Sequence, residues 1–333
     1  MKHKKFLLKL VAFAVSFALF LHLFGRGIAL SRQLFQNPTL LSLAVFLQTG
    51  RPVRYPAPVS TVPNATEPPE TISPTEPPDP DKPVFSADDL DHLSLIYGCD
   101  YRPDLETLLL APLSWDLSGD EPTVLILHTH ATESYAPTET SNYAPSGDRR
   151  TLDEAYNMVA IGDRVASILK EAGISVLHDR TFHDYPSYNG SYASARKTIA
   201  DYLQQYPSIR LVLDIHRDAI SSPTGDHLTT SATVNGKPAS QLMIVIGTDA
   251  TGNYHPHWQE NLSLALKLSA QWERLCPGIT RPIYLRGERF NMDMTPGSLL
   301  IEVGASGDTQ SQALEAAAIL AQGILALAQG TSQ

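Results

Sequence analysis

Three short segments concentrate side chains able to do chemistry. His128-Thr129-His130-Ala131-Thr132-Glu133-Ser134-Tyr135 carries two imidazoles, a carboxylate and several hydroxyls, and Asp214-Ile215-His216-Arg217-Asp218 adds a third imidazole flanked by charges. Glu302-Val303-Gly304 supplies a further carboxylate. Neutral imidazoles with a carboxylate are the common ligand set of catalytic Zn²⁺, with one position left for water. A single histidine is more often a hydrogen-bonded core or surface residue. Three polar clusters that converge are not explained that way, and a metal site is the leading expectation. Other catalytic patterns are missing: there is no G-x-S-x-G elbow, HExxH helix, Walker loop or G-x-G-x-x-G after a strand. Ser134 near His130 suggests a serine hydrolase, but nothing marks it as sitting on a strained turn. His183-Asp184-Tyr185 and Tyr188–Tyr192 form an aromatic, polar loop that suits a groove for sugar or peptide as well as it suits ordinary packing.

Convergence requires elements that end at one place, and the apolar pattern provides them. Thr123–Leu127, Ile174–Leu177, Leu211–Ile215 and Ser298–Val303 read as buried strands; Asp153–Ala172, Tyr192–Tyr206, His257–Leu275 and Gln310–Ala328 read as amphipathic or buried helices. Thr229–Val234 and Gln241–Ile246, with Asn235-Gly236 between them, predict one β-hairpin. Alternating strands and helices predict an α/β domain with a mainly parallel sheet and flanking helices. In such a sheet the carboxyl ends of the strands share one edge, where ligands gather. The strands ending at His128, Asp214 and Glu302 would therefore meet.

The rest of the chain narrows the setting. Of 333 residues 43% are hydrophobic and 18% charged, so a sizeable core is expected, and the formal charge of −10 is the wrong sign for a nucleic-acid partner. Cys99 and Cys276 are too few for a disulfide scaffold; they either pair or remain free thiols. Lys2, Lys4, Lys5 and Lys9 precede the apolar run Leu10–Leu21, which His22 interrupts and Leu23–Phe24 extend; counted from Phe6 it is about 19 residues, roughly 28 Å of helix, which is just enough to span a bilayer. The charges precede the span, which predicts a retained signal anchor with everything after it outside the cytoplasm. Arg51–Pro83 holds 11 of the 25 prolines. It reads as a disordered tether at about 3.1 Å per residue, with a reach of roughly 100 Å. The expected organisation is an N-terminal transmembrane anchor (1–27), a juxtamembrane segment (28–50), the Pro-rich tether (51–85), a lead-in (86–119) and the α/β domain (120–330).

The blocks HTHATESY, Asp153 and Asn157 leading into Met158–Asp163, SYASAR at Ser191–Arg196, DIHRDA at Asp214–Ala219, Pro277–Arg281 and LLIEVG at Leu299–Gly304 resemble, in this order, the stage II sporulation protein P family of endospore-forming bacteria. Asn291-Met292-Asp293-Met294 departs from that family's Asn-Gln and longer loop. The family is related to zinc-dependent N-acetylmuramoyl-L-alanine amidases, so the resemblance implies an amidase-like fold and Zn²⁺. Laying the amidase strand on Val124–His130 places a ligand at His130, with His128 the second candidate on that strand end, and a further ligand at His216. The carboxylate ligand falls on Glu133, Asp153 or Glu154, and Glu302 corresponds to the general base. Arg217 either stabilises an oxyanion or stem carboxylate, or pairs structurally with Asp214 or Asp218. The implied function is a membrane-anchored peptidoglycan hydrolase that cleaves the N-acetylmuramoyl-L-alanine amide and stem-peptide cross-links during engulfment. Its implied partners are a lytic transglycosylase and a polytopic membrane protein. A non-catalytic wall-binding scaffold subunit and a metallocarboxypeptidase are the competing readings.

Overall fold

A computed structural model describes residues 84–113 and 116–329. The expected anchor, the juxtamembrane segment and nearly all of the tether lie outside the described residues. In chain order the elements are β1 (Leu95–Tyr97), α1 (Leu105–Leu110), β2 (Val124–Leu127), α2 (Met158–Glu171), β3 (Val176–His178), α3 (Ser191–Gln205), β4 (Leu211–Asp218), β5 (Ser231–Val234), β6 (Lys237–Ser240), β7 (Leu242–Gly247), α4 (Trp258–Leu275), β8 (Ile283–Arg286), β9 (Ser298–Ala305) and α5 (Gln310–Gln329).

A 7-stranded sheet runs β1-β8-β7-β9-β4-β2-β3, parallel at every pairing except β7 against β9. The mixed α/β class with a mostly parallel sheet is as expected. Residues set apart as a lead-in supply β1, the edge strand beside β8. Both strands escape periodicity because each is only a turn or so of pleat long.

The hairpin forms with a different second strand. Asn235 and Gly236 both have positive φ, at 51° and 79°, as a two-residue type I′ turn requires. Such a turn leaves no gap, so the partner of Val234 is Lys237 and the returning strand is β6 rather than Gln241–Ile246. β7, which contains the latter run, joins the large sheet instead. Pro238 is tolerated because β5 and β6 form a separate two-stranded sheet made only of edges.

Helix α2 starts later than the apolar pattern suggests. The Asp153 carboxylate accepts the Ala155 N–H at 3.0 Å, a local bond that competes with helix formation, and Asn157 Oδ1 caps the helix by accepting the Val159 N–H at 3.0 Å. Helix α5 is apolar and long enough to cross a membrane by length and composition. Here its Ala313, Ala316, Ala317, Leu320, Ala321 and Ile324 are buried in the core, where it packs on α2 and α4.

Strand alternation divides the core. Val124, Ile126, Leu211, Leu213, Ile215, Ile301 and Val303 join the main cluster, which α2, α4 and α5 complete. Leu125, Leu127 and Val212 pack with Ala195 and Ile199 of α3 on the other face. Each fully buried Leu or Ile contributes about 1.5–3 kcal/mol, so this alternation fixes the register firmly. It also decides which polar residues of β4 reach the α3 face.

Candidate functional site

Period two carries Val212, Asp214 and His216 to the α3 face of β4, and Glu302 lies directly across from His216 on β9. After β2 the chain folds over the end of β4. The Glu133 N–H donates to His130 O at 3.0 Å, and Glu133 pairs with Arg150 across a short antiparallel bridge. This turn places Glu133 Oε2 3.6 Å from His216 Nδ1, while the backbone N–H of Arg217 donates to the same oxygen at 3.3 Å. Asp214 is fixed from below, accepting the Thr129 N–H at 2.7 Å and the Thr129 hydroxyl at 2.6 Å. His216 Nε2 lies 2.9 Å from Asp214 Oδ1 but out of hydrogen-bonding alignment. The His130 ring meets His216 edge-on, with centroids 5.2 Å apart.

These groups are buried, with His130, Glu133 and His216 at 5%, 4% and 3% exposure. Burial works against charge on His216, but Asp214 and Glu133 outweigh it and hold the imidazole well above its ordinary value. Burial also opposes charge on Glu133, yet the neighbouring His216 and the Arg217 charge keep the carboxylate well below its usual range. His130 is pushed down to about 4 by burial and by the neighbouring His216, so it is neutral at pH 7. Glu302 goes the other way: burial, with Glu133 and Asp218 adding to it against the pull of His216, lifts its carboxyl to about 8. Its Oε2 is buried without a hydrogen-bond partner.

The structure thus brings His130, His216, Glu133 and Glu302 together. It does not bring in His128, which points toward α2. Its Nδ1 is 2.9 Å from the Ile215 carbonyl and donates to it, and its Nε2 is 2.9 Å from His178 Nε2. Both ring nitrogens are therefore engaged. Gly162 permits this contact, since a Cβ there would stand 2.4 Å from His178 Nε2 and 2.7 Å from His128 Nε2. Asp153 and Glu154 are exposed, and Glu154 pairs with Arg180 at 2.6 Å, so of the three candidate carboxylates only Glu133 is beside His216. Arg217 pairs with neither Asp214 nor Asp218. It donates to the carbonyls of Ser134 at 3.1 Å and Arg149 at 3.3 Å, and to that of Asp148, while Asp218 pairs with Arg281 at 2.7 Å. One position beyond His216, Arg217 leaves β4 on the opposite face and clamps the loop that carries Glu133. Cys99 and Cys276 are free thiols.

Sequence reasoning missed Arg150 and the place of Asp184. Arg150 Nη1 donates to Asp184 at 2.7 Å and Nη2 to Glu133 at 3.3 Å. The adjacent basic pair Arg149-Arg150 in a polar loop was its only signal. Tyr188 and Tyr192, from the aromatic loop, both contact His130: Tyr188 stacks on it at 4.5 Å and Tyr192 meets it edge-on at 5.5 Å.

As they stand, no three His, Cys, Asp or Glu side chains among the described residues are gathered closely enough to hold an ion. The donor types nevertheless fit Zn²⁺. His130 Nδ1 and His216 Nε2 are buried nitrogens without hydrogen-bond partners, His130 is neutral, and Glu133 is held as the anion between them and the two arginines; His216, which Asp214 and Glu133 keep protonated in the metal-free chain, would release its proton on binding the ion.

Solved structures similar to the chain include the N-acetylmuramoyl-L-alanine amidase AmiC2 of Nostoc punctiforme (16% identity, 62% of this chain and 97% of that one, TM-score 0.37). Another is an N-acetylmuramoyl-L-alanine amidase from Clostridium difficile 630 (16% identity, 64% and 100%, TM-score 0.39). Among curated proteins, Stage II sporulation protein P of Bacillus subtilis (strain 168) is 28% identical over 200 residues, covering 56% of this chain. The match spans 46% of that relative, about half its length. The profile of Stage II sporulation protein P (SpoIIP) matches residues 64–325. That match takes in every strand of the large sheet and most of α5, and the chain belongs to the stage II sporulation protein P family.

Proposed function

We propose that this chain is a peptidoglycan hydrolase of sporulation that cleaves the amide between N-acetylmuramic acid and the L-alanine of the stem peptide, and also stem cross-links. It would act from the membrane through the 1–27 anchor, outside the cytoplasm, with a lytic transglycosylase and a polytopic membrane protein as partners in engulfment. One observation carries the reading: His130, Glu133 and His216 meet in a buried cluster with Glu302 directly across the strand from His216, and the two glutamates are pushed in opposite directions, Glu133 toward the anion and Glu302 up to about 8. Titratable neighbours with opposed shifts mark acid–base division of labour.

His130, His216 and Glu133 would hold Zn²⁺. The ion, when bound, supplies Lewis acidity, acidifying water and polarising a carbonyl. Glu302 would act as the base in its ionised form, which a cation held beside it would favour over the protonated form of the metal-free chain: its unpartnered Oε2 would take up the proton of the attacking water and return it to the leaving amine. Arg217 keeps the Glu133 loop in place rather than touching substrate. The deciding experiment is mass spectrometry of purified sacculi digested by the chain. Glycan freed of stems, with new L-alanine amino termini, is expected. Stems trimmed only from their carboxyl ends would indicate a carboxypeptidase, and unchanged muropeptides a binding scaffold.

A further inference from the structure

A wall polymer cannot touch groups that are only 3–5% exposed, so something must move before His130, Glu133 and His216 can act. The outermost layer over them is Tyr188. Its ring lies nearly parallel to His130, at 9° and 4.5 Å between centroids, and the residue itself is 56% exposed. On the solvent side of this stack the chain from Tyr185 to Gly190 is exposed throughout.

The two ends of that strap are fixed. At one end His183 Nδ1 donates to His128 O at 2.9 Å, and Asp184 accepts the Thr132 hydroxyl at 2.6 Å; at the other, Ser191 starts α3 and is buried. Between them, Tyr188 makes ring contacts with His130 and Arg150. What holds it there is Arg150, whose guanidinium carbon sits 4.9 Å from the Tyr188 ring centroid while its nitrogens bind Asp184 and Glu133.

We propose that Tyr188 is a latched cover on His130, closed by Arg150, that must swing away before a polymeric substrate reaches the site. The inference rests on His130 being a functional group, as the proposed hydrolase requires. It makes Arg150 the latch: this one side chain ties the strap, through Asp184 and the tyrosine ring, to the carboxylate of Glu133.

The test is the rate at which diethylpyrocarbonate modifies His130 in the full chain freed of metal by a chelator, read by peptide mass mapping, with the buried His183 as internal control. Removing one aromatic stack and one cation–π contact by Tyr188→Ala should speed modification of His130 roughly ten-fold or more, with His183 unchanged. Tyr188→Phe, which keeps the ring, should leave His130 protected. A His130 rate in Tyr188→Ala within two-fold of the unsubstituted chain would overturn the proposal. So would a parallel rise at His183 in both Tyr188→Ala and the milder Tyr188→Leu, because the protection would then be global. Sacculus digestion by the unsubstituted chain is scored separately, so loss of the hydrolase reading and loss of the cover register in different assays.

Discussion

Glu302→Gln separates the chemical role of the carboxyl from its structural cost. The group ordinarily titrates at 4.5, and burial among Glu133 and Asp218 lifts it to about 8 in the folded chain. Between those limits the folded state keeps a proton that the unfolded state has released, so stability falls as pH rises through this window and the full penalty is present above about 8. At about 1.36 kcal/mol per pH step, the chelator-treated chain forgoes roughly 3 kcal/mol by pH 7. Glutamine mimics the protonated carboxyl and never ionises. Urea unfolding should therefore find Glu302→Gln equal in stability to the parent near pH 4 and more stable by about 3 kcal/mol at pH 7, rising to about 4 kcal/mol at pH 8. General-base participation typically contributes 10²–10⁴-fold, and turnover on sacculi should fall by about that factor. The variant would thus be a better folded protein and a worse catalyst. A stability difference that does not grow between pH 4.5 and 8 would refute the buried, uncharged carboxyl, and near-normal turnover would move the base elsewhere, with Glu133 the first candidate.

The other expectations concern ligands, packing and topology. Activity on sacculi should vanish in a strong chelator and return with Zn²⁺; full activity in a preparation shown by elemental analysis to be metal-free would remove the ion from the mechanism. Glu133→Gln should lower zinc content, whereas Asp153→Asn and Glu154→Gln, both exposed and the latter paired with Arg180, should not. Gly162→Ala drives a methyl to within 2.4 Å of His178 Nε2 and should cost about 1–3 kcal/mol of stability by overpacking, seen as a lowered urea midpoint. Protease added to intact protoplasts should cut the 51–85 tether and release the folded domain; protection until the membrane is permeabilised would reverse the expected orientation.

Much of the sheet was legible because strands buried on both faces read as unbroken apolar runs. Val124–Leu127, Leu211–Asp218 and Ser298–Ala305 are of this kind, and each runs into a polar cluster at its carboxyl end. That is why the edge carrying His130, His216 and Glu302 could be placed from residue types alone. The reversal at β7 was hidden, since a buried strand has the same composition whichever way it runs. β1 and β8 have too few residues to show a period. The start of α2 was misplaced because Asp153 satisfies a backbone N–H locally, and periodicity does not register such a competing bond.

The roles inside the site were harder to read, and the difficulty has one physical origin. Glu133 and Glu302 are the same residue type, each near the end of an apolar segment, and no local pattern separates an anion from a proton carrier. Their neighbours do. Glu133 receives the Arg217 N–H and stands beside His216 and Arg150, all of which favour its charge. Glu302 faces the same imidazolium across one strand spacing but also senses the charges of Glu133 and Asp218, and its Oε2 has no donor. Each of these partners lies outside the strand or turn of the glutamate it acts on, with His216, Arg217 and Asp218 all on β4, and the pairing is set by register: His216 opposite Glu302, and Glu133 opposite Arg150. A one-residue slip of β9 against β4 would turn Glu302 into the main core and leave His216 with carboxylates but no proton acceptor of raised pKa. The opposed shifts of the two glutamates are therefore a property of strand register more than of residue identity.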